Sequence, residues 1–215
     1  MKLEVDCGIG SNVGPSASLG VSSMSATIDA NLRAHFRAAT PSARIDGTVW
    51  YDMARAHAHA IGLALGKPME VGAAIIAAFS PLTGWDLNLR HADTFVRTGR
   101  APTFGAHNRM ASLALVDGAD AITGPKIGPF CRAIMGDLSQ VVVDSWMNFA
   151  ADYGPDTAEA AEAARVHRVS AEVSNLGVRR RRAIDASIRA IAAETGLMPA
   201  QVQAIVWINA RGAAD

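Results

Sequence analysis

Cysteine is nearly missing from this chain: Cys7 and Cys131 are the two among 215 residues. Two thiols cannot build a four-cysteine zinc or iron–sulfur site, and they give no disulfide framework. A reducing cytoplasm is the compartment this usage suggests. Net charge is absent too, with 20 basic residues balancing 20 acidic ones. No global field therefore draws the chain to nucleic acid, and any such contact must come from local patches. No apolar run approaches the ~20 residues that cross a bilayer, so no membrane partner is expected. The opening MKLEVDCGIGSNVGPSASLGVSS lacks the continuous apolar stretch of a secretory signal and reads as a flexible tail over residues 1–25. Long alternating strands, internal repeats and heptad runs are missing as well, which excludes β-sandwiches, solenoids and coiled coils. His57 and His59 lie two apart on a helix and point in different directions, so no metal site is expected there. No metal or organic cofactor is implied.

What remains is helix. Half of the residues are apolar and 19% are charged, which suits a globular domain with one sizeable core. Ile28, Leu32 and Phe36 recur at helical spacing before Thr40-Pro41-Ser42 breaks the pattern. A second helix runs from Trp50 to Gly66. VGAAIIAAF is apolar all round and reads as a central buried helix. Trp85, Leu89 and Phe95 form one stripe ending at Gly99, APTFGAHNR reads as a loop, and a short helix follows to Gly118. Further helices are expected at 126–136, 144–154 and 156–168, then two more to the end, with Val141 to Val143 as a short extended run. The expectation is an all-α fold, a single helical domain over residues 26–211.

The stretch GPKIGPFCRAIMGDLSQVVVD, from Gly124 to Asp144, carries the chemistry. A tight turn with Gly124 leads into a helix starting at Pro125 and Lys126. The unpaired amides of such a start, with the positive end of the helix dipole, make an anion site. Gly124 and Gly128 carry no side chain to hold a DNA phosphate away, and Thr123 and Arg132 lie beside them. A lysine in this first turn sits where cations are disfavoured, and a nucleophile needs the neutral amine. The helix, a turn and the three valines then bring Asp144 back beside Lys126. A carboxylate there could take a proton or face a developing sugar cation. The plainer reading is that Asp144 is the N-cap of the next helix, and the two roles are compatible. Arg179 and Arg180 open the one dense basic cluster, either a solvated helix start or a phosphate contact. Ser80 reads as a helix-end hydroxyl, Gln203 as a buried amide bonded to another helix, and Trp146 and Trp207 as core. Trp85, beside the polar SPLTG break, is the tryptophan placed to meet a ligand, and Asn88 shares its face.

In Gly124-x-Lys126, the helix after it and Val143-Asp144, the chain resembles the helix-hairpin-helix DNA glycosylases of the endonuclease III type. The resemblance covers about residues 49–154, with hairpin and catalytic-type segment at 118–146. It departs from the family at Ile122, a hairpin glycine elsewhere, and at Trp146, commonly a histidine. It is also similar to small phage and actinobacterial proteins, through Ser80, Pro81, Trp85 and Asn88, then Gly124, Lys126, Phe130 and Asp144, then Pro199, Gln203 and Trp207. The resemblance implies a glycosylase-like helical fold, DNA as partner, and a DNA-processing enzyme, glycosylase or glycosylase/lyase, for repair or modification. It would act on a modified or damaged base flipped from the stack. Lys126 would be the nucleophile, Asp144 the base or cation stabiliser, and Ser80, Trp85 and Asn88 the base pocket. The alternatives are a transferase building hypermodified thymine in phage DNA on the same fold, a DNA-binding module without chemistry, or an accessory protein whose partner is another protein.

Overall fold

A computed structural model describes residues 16–169 and 177–212. They are all-α: ten helices and a single 3-10 turn, Ala119–Ala121, with no strand among them. The helices are α1 (Ser16–Ala38), α2 (Pro41–Leu65), α3 (Met69–Phe79), α4 (Trp85–Thr98), α5 (Gly105–Asp117), α6 (Ile127–Met135), α7 (Ser145–Asp152), α8 (Ala158–Val169), α9 (Val178–Thr195) and α10 (Pro199–Arg211). No single helix is long and apolar enough to cross a membrane.

Two boundaries differ from the sequence expectation, each for a local reason. The tail expected over residues 1–25 is helical from Ser16, directly after Pro15, because nothing in the Ser- and Ala-rich segment stops the helix; residues 1–15 lie outside the described residues. Thr40-Pro41-Ser42 ends α1 but also starts α2, well before Trp50. The Thr40 hydroxyl accepts from the Ala43 amide at 3.1 Å, and Pro41 occupies the first helical position, where its missing N–H costs nothing.

Every residue of α3 from Val71 to Phe79 is buried, as its all-round apolar character requires. It is the axis of a cluster built on α2 to α6, with Tyr51, Ile75, Phe79, Phe95 and Phe130. A second cluster joins α1, α7, α9 and α10 through Leu32, Met147, Ile184 and Ile205. Each fully buried isoleucine or leucine contributes about 1.5–3 kcal/mol. Glycine sets the helix spacing at two crossings. A Cβ on Gly72 would lie 2.0 Å from the Ala58 carbonyl oxygen of α2, and one on Gly47 would lie 2.5 Å from Ile205 of α10.

Two segments serve both clusters. Helix α10 gives Ala200 and Ala204 to the first, and Val202, Ile205 and Val206 to the second. The extended run before α7 does the same at a period of two: Val142 enters the first cluster, Val141 and Val143 the second. Among the described residues it pairs with no other segment as a ladder, yet all three side chains are buried.

Candidate functional site

Helices α5 and α6 both pack on α3 and are joined by the segment from Gly118 to Lys126. Gly118 and the 3-10 turn lead to Ile122, whose side chain is buried in the first cluster. Ile122 is in extended backbone, with φ −88° and ψ 95°, so the position asks for no glycine. The chain then reverses at Gly124, whose φ of 109° favours glycine. The Gly128 amide donates to the Gly124 carbonyl at 3.2 Å and the Phe130 amide to the Lys126 carbonyl at 3.1 Å. The Gly128 N–H, expected to hold phosphate, is therefore spent inside the turn. Among the described residues, the amides of Gly124, Lys126 and Ile127 donate to no acceptor, and these are the free donors of the α6 start. Thr123 is exposed beside them.

Lys126 is half-buried, and its ammonium makes no ion pair or hydrogen bond among the described residues. Its charge reaches His107 of α5. Burial holds that imidazole below its ordinary range, and the charges of His91 and Lys126 lower it further. His107 and His91 both lie near Phe79, with ring centroids 6.4 and 6.1 Å away. The Thr103 hydroxyl approaches His107 Nδ1 at 3.4 Å.

Asp144 is held by both oxygens. Oδ1 accepts from the Met147 amide at 2.9 Å, capping α7, and Oδ2 accepts from Trp207 Nε1 of α10 at 2.9 Å. A carboxylate has acceptor capacity for more than two donors, so these bonds orient the group without saturating it. Its charge acts on Tyr51, whose phenol is pushed far up by burial and further by Asp144. Tyr51 donates to Gln203 Oε1 at 2.8 Å, so the amide expected to bond to another helix does so.

Trp50 ties these groups together. Its ring centroid lies 4.9 Å from Trp85 of α4, 5.9 Å from Phe130 of α6 and 6.1 Å from Trp207 of α10. The three sequence segments singled out around Trp85, Lys126 and Trp207 therefore meet at one aromatic wall. No ion pair joins Lys126 to Asp144. They connect through that wall, since Phe130 is one turn beyond Lys126 and 6.4 Å from Tyr51.

Trp85 is half-buried at the first position of α4, with His57 edge-on at 6.0 Å. Asn88, one turn on, is 2% exposed, and its Oδ1 is the one fully buried side-chain oxygen or nitrogen among the described residues without a hydrogen-bond partner. Ser80 does not share this status: its hydroxyl donates to the Ala77 carbonyl at 2.9 Å and closes the end of α3. Arg132 is exposed, with Nε on Gln140 Oε1 at 3.2 Å. Arg179 is exposed at the start of α9. Arg180 is not available to phosphate in the same way, because it donates to Asn148 and Asp152, both at 2.5 Å, and fastens α9 to α7.

Four members of this neighbourhood escape the sequence reading. Trp50 and Tyr51 were legible as adjacent aromatics in a chain with only 6% aromatic residues. His91 shares the Asn88 face, one turn further on. His107 lies in a stretch that reads as loop but is the first turn of α5. An apolar groove of about 260 Å³ on α2, lined by Arg44, Ile45, Thr48 and Val49, shares no residue with this set. Among the described residues, no group of three or more His, Cys, Asp or Glu side chains could hold a metal ion.

Residues 17–214 match DUF7178, a family of unknown function. The chain belongs to that family. No curated protein and no solved structure matches it.

Proposed function

We propose that this chain is a DNA-processing enzyme that acts on a modified or damaged base flipped from the stack. The observation that carries the reading is Lys126: half-buried, without a carboxylate partner, at the start of α6 and one turn from the aromatic wall. A neutral amine there attacks the sugar C1′, and the N–C1′ bond forms as the bond to the base breaks. The base leaves with the bonding electrons and takes up a proton. Ring opening then gives an imine between Lys126 and the sugar. Asp144, fixed by Met147 and Trp207, lends its negative charge to the cationic sugar of the transition state. Trp85 stacks on the extruded base and Asn88 meets its edge. The free amides at Gly124, Lys126 and Ile127, with Arg132 and Arg179, receive phosphates without reading sequence.

The test is borohydride trapping on DNA carrying abasic sites and altered pyrimidines, with Lys126→Ala as the control. A reduced covalent adduct that disappears in Lys126→Ala supports the reading, and its absence with every substrate sinks the lyase step. One observation favours a second reading, a DNA-binding module without chemistry: both Asp144 oxygens already serve the fold. Salt-sensitive DNA binding with no adduct and no released base would establish it.

A further inference from the structure

Helix α2 packs by one face and leaves the opposite face uncovered among the described residues. Gly47, Tyr51, Ala54, Ala58 and Gly62 are buried, and the helix meets α3, α10, α6 and α4. The opposite face carries Val49, Met53, Ala56, Ala60 and Leu63, at spacings of four and three that keep them in one stripe. All five are exposed, Met53 by 61% and Leu63 by 70%. Apolar residues scattered singly over a surface need no partner, but a continuous stripe along a helix marks an interface. Over two heptads it is a local seam and not a coiled coil.

Two features of the stripe say what covers it. The first is side-chain size. The bulky Val49 and Met53 stand in its N-terminal half, and Ala60 and Ala64 in its C-terminal half. A second α2 running the other way sets large against small: Val49 on Ala64 and Met53 on Ala60, with Ala56 and His57 astride a two-fold axis. The same reversal brings Leu63 of the second copy level with Val49, beside the groove that Arg44, Ile45, Thr48 and Val49 enclose.

The second feature is charge. Asp46 lies one turn before Val49 on the same line, and Lys67 follows the Gly66 cap at the far end. Both are exposed, and neither makes an ion pair among the described residues. Antiparallel pairing sets each Asp46 against the Lys67 of the other copy and opposes the two helix dipoles. Parallel pairing would set like charge on like and bulk on bulk.

We infer that the exposed face of α2 is a self-association surface, on which a second copy of this chain docks antiparallel. Asp46–Lys67 ion pairs close the seam at both ends. The inference does not depend on the DNA reading. One helix pair covers less than the roughly 800 Å² per partner of a standard interface, so the dissociation constant should lie at about 1–100 μM.

The test is sedimentation equilibrium of the full chain from about 1 to 200 μM. Met53→Glu should weaken the dimer at least about tenfold without changing the far-ultraviolet circular dichroism, because Met53 is exposed. Asp46→Lys and Lys67→Asp should each weaken it about fivefold, and the double reversal should restore it to within about twofold. A chain that stays monomeric throughout overturns the inference and leaves this face to a different protein. A dimer indifferent to Met53→Glu overturns it as well, since the contact would then lie elsewhere. So does a dimer that ignores the single reversals, or one that the double reversal fails to restore. Should Met53→Glu not fold, the charge series decides, because it alters only exposed ends of the seam.

Discussion

Replacing Asp144 with alanine removes two hydrogen bonds that tie different helices, and the loss can be worked from the structure. The cap on Met147 is worth roughly 1 kcal/mol. The bond from Trp207 Nε1 to a charged oxygen is worth about 1.5–3 kcal/mol. Asp144 and Trp207 are both half-buried, which places the sum near the lower end, about 3 kcal/mol. For a chain of this size that corresponds to a fall in melting temperature of roughly 6–12 °C. Asp144→Asn separates the two bonds. Its remaining oxygen still caps α7, but its amide nitrogen faces the Trp207 N–H, donor against donor, so about 2 kcal/mol is lost. Trp207→Phe removes the same bond from the other side. Denaturant titrations of the two single variants and the double variant should give a coupling of about 1.5 kcal/mol. A coupling within about 0.3 kcal/mol of zero would refute the assigned bond and leave Asp144 without its tie to α10. Trapping yields for Asp144 variants are therefore to be compared well below their lowered melting points, so that lost chemistry is not confused with lost structure.

Gly72→Ala should destabilise by about 3 kcal/mol, because its methyl meets the Ala58 carbonyl oxygen, a backbone atom that cannot rotate away; a thermal melt unchanged within 2 °C would contradict the crossing. His35 is held below its ordinary value of 6.5 by burial, only partly offset by the Tyr153 carbonyl. The unfolded chain therefore takes up the proton first, so stability is full above about 6.5 and falls as pH drops below it. His35→Gln should flatten that fall in urea titrations between about pH 7 and 5, and an identical slope would count against it. Cys131 is buried and its thiol is pushed up to about 11, chiefly by burial. Iodoacetamide should leave it unmodified in the native chain and alkylate it after denaturation, as read by peptide mass mapping.

The helix ends were the most legible part of the fold, because local chemistry decides them. Gly66, Gly99, Gly136 and Gly196 all adopt the left-handed conformation that closes a helix. The start of α2 was harder, since Thr-Pro-Ser signals an end and a beginning with the same residues. The turn at Gly124 was legible, as was the cap at Asp144. The tie from Asp144 to Trp207 was not, because it joins segments far apart in sequence and leaves no periodic trace. Trp50 was missed for the same reason: it reads as one more apolar position on α2, and only packing makes it the meeting point of four helices. Arg180 shows the opposite error. In sequence it belongs to a basic cluster, while in the fold Asn148 and Asp152 take its donors.

The three valines before α7 work as a gauge of chain length. Their side chains alternate between the two clusters, so one residue inserted or deleted between Asp137 and Asp144 would send each valine to the wrong side. The same slip would carry Asp144 off its cap and away from Trp207. The distance along the chain from α6 to α7 is thus read at both ends, by the hydrophobic clusters and by the carboxylate. Point substitutions in this connection should be tolerated far better than any change in its length.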